Sequence, residues 1–250
     1  MIAALLTGLQ LLAADPADEA ECSVIDAVIA HHLRGSSQTT EQVCVCEETT
    51  ETCRECAELA VVRRFELQAA PFDPWNNPHS PDTVLDSADL PVILAERERR
   101  AAEAAADPEL AASRAGAFLD RYRPYIEQRA GPLADGLTEA FAEAAADMRP
   151  TSCELDGVAI VEAFSEPDSP PPGNASYQYT FAVSRSAVSR DGRHALILVS
   201  RHTGYAARLP DGRILPAGMA SNRGGWAWVM LERAGDGWEV AAETGVLHWN

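Results

Sequence analysis

The chain has 250 residues, 46 % of them hydrophobic and 23 % charged, which suits one large domain or two small ones and excludes wholesale disorder. Its formal net charge of −18 excludes broad binding to nucleic acid or to an anionic membrane, whose phosphates it would repel. All twenty basic side chains are arginine, so a Walker-type phosphate loop, Schiff-base chemistry and a lysine general base are excluded too.

The first fourteen residues, "MIAALLTGLQLLAA", are apolar and end in small residues, and an acidic stretch follows. We read residues 1–14 as a secretory signal peptide without a basic n-region, cut near Ala14. No later apolar run is long enough to span a bilayer, so the mature chain is expected to carry no transmembrane span. Residues 15–60 hold eleven acids against Arg34 and Arg54, whereas residues 174–250 hold six acids against eight arginines. We take this asymmetry as surface composition.

Residues 15–150 read as mainly helical. In "ECSVIDAVIAHHLRG", Val24, Ile25, Val28, Ile29, His32 and Leu33 recur at helical spacing, and Gly35 is a natural stop. "QVCVCEETT" is a short strand candidate. Thr52 is placed to cap a helix from Cys53 to about Leu67, with Leu59, Val62 and Phe65 along it. Five prolines between Pro71 and Pro91 mark an irregular connector. Three helices are then expected. Pro91 opens the first, through about Ala106. Asp107 and Pro108 start the second, which Pro124 should kink or end. Gly131 and Pro132 precede the third, with Leu133, Leu137, Phe141 and Met148.

After Pro150 the period changes to two. "GVAIVEAF" is a strand candidate. "YQYTFAVSRSAVS" alternates Tyr177, Tyr179, Phe181 and Val183 on one face, "RDGR" turns the chain, and "HALILVSRHT" is apolar on both faces, as a central strand would be. A loop from Gly204 to Gly225 is expected, then a hairpin of "WAWVMLER" and "WEVAAE", then an edge strand at "VLHWN". The fold class is therefore α+β: an N-terminal helical layer covering one face of a C-terminal antiparallel meander of four to six strands, with residues 15–250 as a single domain.

"FAVSRSAVSRDGRHALILVSRHTG", followed by "GGWAWVMLERAGDGWEVAAE", resembles a family of uncharacterised secreted proteins of bacteria, and "SVIDAVIAHHL" resembles their opening helix. The shared pattern is two successive strands, a glycine-rich loop and a hairpin closed by Asp-Gly and Trp. The resemblance covers about a third of the chain. It implies export and an α+β fold, and it implies no chemistry.

Four of the six cysteines lie in "CVCEETTETCREC", residues 44–56. Cys44 and Cys46 share a strand face, and Cys53 and Cys56 share a face at a helix start, so a turn through "EETTET" brings the four together. Disulfides are the first expectation, for example Cys46 with Cys53 and Cys44 with Cys56, leaving Cys22 and Cys153 to bridge a loop of about 130 residues. A zinc site of Cys44, Cys46, Cys53 and Cys56 is the second, although the spacing is not that of a zinc ribbon and five glutamates crowd it. Redox catalysis at Cys53 and Cys56 is the third, and the same glutamates disfavour a thiolate there.

No HExxH, GxSxG, GxGxxG or EF-hand pattern is present. His31 and His32 point about 100° apart on a helix and do not chelate one ion from it. The remaining constellation lies at the end of the central strand. Ser200 and His202 share one face, Arg201 takes the other, Tyr205 lies beyond, and the loop adds Arg208, Arg213 and Arg223. Arginines grip carboxylate or phosphate through paired hydrogen bonds, so this group is the candidate site for a small anionic ligand. As nucleophile and base, Ser200 and His202 stand about 7 Å apart with no orienting acid.

These observations lead to an exported, acidic, disulfide-stabilised protein, periplasmic or secreted, with no catalytic residues and no cofactor. It would serve a structural or partner-binding role in the envelope, its partner a protein. A binder or hydrolase of a small anionic molecule, acting through residues 200–223, is the alternative. A cytoplasmic zinc module is a third.

Overall fold

A computed structural model describes residues 16–34, 41–45, 55–72, 90–162, 169–214 and 223–249. In chain order its elements are α1 (Pro16–Leu33), β1 (Glu41–Val45), β2 (Glu55–Gln68), α2 (Leu90–Ala106), α3 (Pro108–Ala130), α4 (Leu137–Ala146), β3 (Ala159–Val161), β4 (Asn174–Val183), β5 (Ala187–Val188), β6 (His194–Arg208), β7 (Arg223–Ala234) and β8 (Gly237–Trp249). The strands form one sheet in the order β1-β2-β4-β6-β7-β8, with β3 alongside β2 and β5 alongside β6. The class is α+β, as expected. The proposed signal peptide lies outside the described residues.

β6 is the organising strand. Ala195, Leu196, Ile197, Leu198 and Val199 are all buried, so both faces at this point are closed to water. Odd-numbered residues pack with α1: Val24, Ile25, Val28 and Ile29 meet Phe181, Val183, Ile197, Val199, Val229 and Leu231. Even-numbered residues pack with α3 and α4: Leu119, Ile126, Leu137 and Phe141 meet Ala182, Leu196, Leu198, Trp228 and Met230. The helices thus lie on both faces of the sheet, where the sequence suggested one. A strand apolar on both sides requires this, because each face must be removed from water separately.

The expected helix from Cys53 to Leu67 is instead β2. It pairs antiparallel with β1 at its start and parallel with β4 from Ala60 to Leu67, and its end pairs parallel with β3. Leu59, Val62 and Phe65 fit a helical period, but Val61, Val62 and Phe65 are β-formers and a distant partner decides between the two states. The sheet is therefore mixed and draws two strands from the N-terminal half. The C-terminal pairings from β4 to β8 are antiparallel, as expected.

The boundaries of α2 and α3 follow the sequence signals, whereas α4 is shorter than expected, beginning at Leu137 after a turn and ending before Met148. Asp107 caps α3 by accepting a hydrogen bond from the Leu110 N–H at 3.0 Å. Pro124 neither ends nor truncates α3, which continues to Ala130. The turn after Pro124 carries Ile126, which is fully packed in the core, and its burial offsets the one lost backbone hydrogen bond. β6 also runs beyond Gly204, to Arg208, and the chain turns at Asp211 and Gly212, where φ of +89° favours glycine.

α1 is fastened at its start in two ways. Cys22 is bonded to Cys153, 131 residues away, with the Cα atoms 5.2 Å apart. Next to it, Glu21 forms an ion pair with Arg185, and its second oxygen accepts the Ser186 N–H at 3.2 Å. Arg185 is 8 % exposed and also faces Asp147, at the end of α4, at 3.5 Å. Burial raises the Glu21 pKa despite the pull of Arg185, whereas the hydrogen bond from Arg149 lowers that of Asp147. The guanidinium thus ties α1, α4 and the link between β4 and β5. Arg185→Ala leaves a buried carboxylate without its cation. Urea denaturation of this variant should show a loss of about 3–5 kcal/mol, against about 0.5 kcal/mol or less for the exposed Arg190→Ala.

Candidate functional site

The face of the sheet under α3 and α4 is apolar only in part. The even-numbered residues of β2, β4 and β6 share this face, and toward β2 they become polar. Glu66, Thr180 and His202 lie in one row across three strands, with Gln178, Gln68, Ser176 and Ser200 beside them. Glu66 is 7 % exposed and Thr180 1 %. Gln178 Nε2 donates to Glu66 Oε2 at 2.7 Å, and Thr180 Oγ1 donates to the same oxygen at 3.3 Å. Burial lowers the His202 pKa below its usual 6.5, so the imidazole is neutral at pH 7 and offers one donor and one acceptor.

An aromatic wall borders this polar band. Trp226, the β7 partner of Ser200, packs against Phe72, Phe118 and Tyr122 with ring centroids 6.4, 5.6 and 5.5 Å away. Apolar walls with a few convergent polar groups are the usual make-up of a small-molecule site.

The sequence-predicted residues divide between two faces. Ser200 and His202 share the polar face, and Ser200 is buried. Arg201 is exposed on the opposite face, opposite Phe181. Tyr205 is also on that face, 4.6 Å from Tyr177 between ring centroids. Arg208 lies on β6 and donates from Nε to the carbonyl of Gly212 at 3.1 Å. Arg213 binds Asp211 at 2.6 Å. Arg223 begins β7 opposite Thr203, and its side chain is outside the described set. Strand alternation thus puts Arg201 on the face opposite His202, while Arg208 and Arg213 make contacts within the turn that follows β6.

Compared with family models, curated proteins and solved structures, the chain matches none. Its chemistry must be read from its own side chains.

Ser200 and His202 are two residues apart on one strand, about 7 Å, too far for a nucleophile and its base. Glu66 sits two strand spacings from His202, about 10 Å at the backbone. The band is therefore arranged chiefly to hydrogen-bond. Sequence reasoning missed Glu66, Gln178 and Thr180. The signal was the polar alternation of Arg64, Glu66 and Gln68, which the helical reading of that segment concealed. An open groove of about 360 Å³ between α2 and α3 is lined by Arg100, Glu103, Asp107 and Arg114 among others, and by none of the predicted site residues.

Cys22 and Cys153 are joined, Cys44 and Cys56 are register partners of β1 and β2, and Cys46 and Cys53 lie outside the described residues. Among the described residues no group of three or more His, Cys, Asp and Glu is placed to hold a metal, and no helix is long and apolar enough to cross a membrane.

The opposite face carries a second polar feature. Arg63 Nη1 donates to the Tyr179 hydroxyl at 3.0 Å and lies over the Tyr177 ring at 5.7 Å. At the end of α1, His32 stacks on Phe181 at 5.8 Å, while His31 faces Glu243 at 3.5 Å. Burial holds the His32 pKa at about 4 instead of 6.5, with Arg201 and His31 lowering it further and Glu243 opposing. The unfolded chain takes up a proton near pH 6.5 that the folded chain refuses until about pH 4. This contribution is therefore whole above pH 6.5 and is lost as the pH falls toward 4, by up to about 3 kcal/mol. Relative to His32→Gln, the wild type should lose stability across that window in urea titrations. A constant difference between the two proteins would refute the assignment.

Proposed function

We propose that the protein is exported, as the resemblance to uncharacterised secreted proteins of bacteria implies, and that it has a non-enzymatic structural or partner-binding role in the envelope. The Cys22–Cys153 bond carries this reading, because a disulfide linking α1 to the segment after α4 persists in oxidising compartments and is rare in a reducing cytosol. The apolar leader supports it from the sequence. The partner is expected to be a protein, since the net charge of −18 repels nucleic acid. No metal or organic cofactor is invoked. The full-length chain, recovered from its source cells in the envelope or medium fraction, should begin near Asp15 by N-terminal mass spectrometry. A chain in the cytosolic fraction that still begins at Met1 would overturn the reading.

A second reading, small-molecule binding, is favoured by the polar band. A buried carboxylate, two carboxamides, three hydroxyls and a neutral imidazole beside an aromatic wall suit a neutral or cationic ligand rich in hydrogen-bonding groups, rather than the anion that the arginines suggested. Native mass spectrometry of protein recovered without denaturation should find an additional non-covalent mass, absent from Glu66→Ala. A bare polypeptide mass in both would remove this reading.

A further inference from the structure

We propose that Cys44 and Cys56 form a second disulfide, across the hairpin of β1 and β2. The inference rests on the oxidising compartment proposed above.

The register carries it. Glu41 faces Leu59, Gln42 faces Glu58, Val43 faces Ala57, Cys44 faces Cys56 and Val45 faces Glu55. Directly opposed residues of an antiparallel ladder have Cα atoms about 4.5 or 5.5 Å apart, depending on whether the pair is hydrogen-bonded. A disulfide accepts about 4.4–6.8 Å. Both kinds of position fall within this Cα range, the Cβ atoms being closer in the non-hydrogen-bonded kind, and a slip of one residue would put Cys44 opposite Glu55 or Ala57. The Cys22–Cys153 bond, at a Cα separation of 5.2 Å, falls within the same range.

Charge supplies an independent reason for a covalent closure. Residues 41–58 hold six glutamates and a single arginine, Arg54. Five-residue β1 is the first strand in the sheet order and pairs with β2, with Glu41 on one arm and Glu55 and Glu58 on the other, each opposite an uncharged residue. A short hairpin of net negative charge is marginal by itself. A bond enclosing the eleven residues from Val45 to Glu55 removes much of the freedom that would let it open.

The chemistry is thiol–disulfide exchange with a protein or low-molecular-weight disulfide as oxidant. One cysteine, as thiolate, attacks the oxidant disulfide and expels one thiol. The other cysteine, as thiolate, attacks the mixed disulfide and expels the second. Cys44 and Cys56 together lose two electrons and two protons, and the oxidant leaves as two thiols.

The test uses the full-length chain from its source cells, with thiols trapped by an alkylating agent before lysis and no reductant. Cleavage at glutamate separates residues 42–47, which hold Cys44 and Cys46, from residues 52–55, with Cys53, and residues 56–58, with Cys56. The expected product is peptide 42–47 linked to peptide 56–58, retained in Cys46→Ser and lost in Cys44→Ser. Cys56 found alkylated, or joined to Cys46 or Cys53, while Cys22 remains joined to Cys153, overturns this proposal and leaves export standing. One zinc per chain with Cys44 and Cys56 unlinked overturns it in favour of the thiolate site. All six cysteines alkylated overturns both this bond and the exported reading.

Discussion

Five consecutive apolar residues on β6, Ala195–Val199, are buried on both sides, and most of the architecture follows from them. A strand that no face of which meets water needs a cover above and below, and the chain supplies α1 for one side and the α3–α4 pair for the other. Burying one Leu or Ile side chain is worth about 1.5–3 kcal/mol, so Leu196, Ile197 and Leu198 alone outweigh any single polar contact in the fold. Trp228 on the neighbouring strand extends the lower layer, with Phe141 and Phe118 packed around it at 5.0 and 5.9 Å.

α1 is separated in sequence from the strands it covers, and its placement is over-determined. Ordering a helix at such a distance costs chain entropy, which the Cys22–Cys153 bond reduces in the unfolded chain. The neighbouring ion pair works differently. Desolvation of Glu21 exceeds the attraction of Arg185, as the raised pKa of the carboxyl shows, so the pair adds little net stability. Its effect is positional: Glu21 of α1 and Asp147 at the end of α4 flank one guanidinium on the β4–β5 link, which fixes how α1 docks.

The same sheet face holds two environments. Near β7 it is apolar and carries helices; near β2 it holds Glu66, Gln178, Thr180, Ser200 and His202. Burying such groups costs free energy unless each is bonded, and an apolar replacement of matched shape is often neutral or better. The carboxylate oxygen that accepts from both Gln178 and Thr180 shows how part of that cost is met. A polar band beside the aromatic wall of Trp226, Phe118 and Tyr122 is the part of the molecule whose composition packing alone does not call for. Its polarity, more than any motif, makes it the candidate site.

The sequence by itself determined what local chemistry controls. Asp107 with Pro108 started α3, Gly131 with Pro132 separated it from α4, Asp-Gly turns closed the hairpins, and period-two alternation placed the C-terminal strands. It also put Ser200 and His202 on one face and Arg201 on the other. Only the tertiary structure decided what depends on distant partners. Residues 55–68 became a strand because β4, more than a hundred residues later, offers a parallel ladder that no local propensity encodes. That pairing set Glu66 beside Thr180 and His202, so the band was invisible until β2 had its place. Pro124 stayed within a helix because Ile126 had a core to enter. Arg208 and Arg213 make contacts within their own turn, an arrangement that depends on where β6 ends, at Arg208 instead of before Gly204.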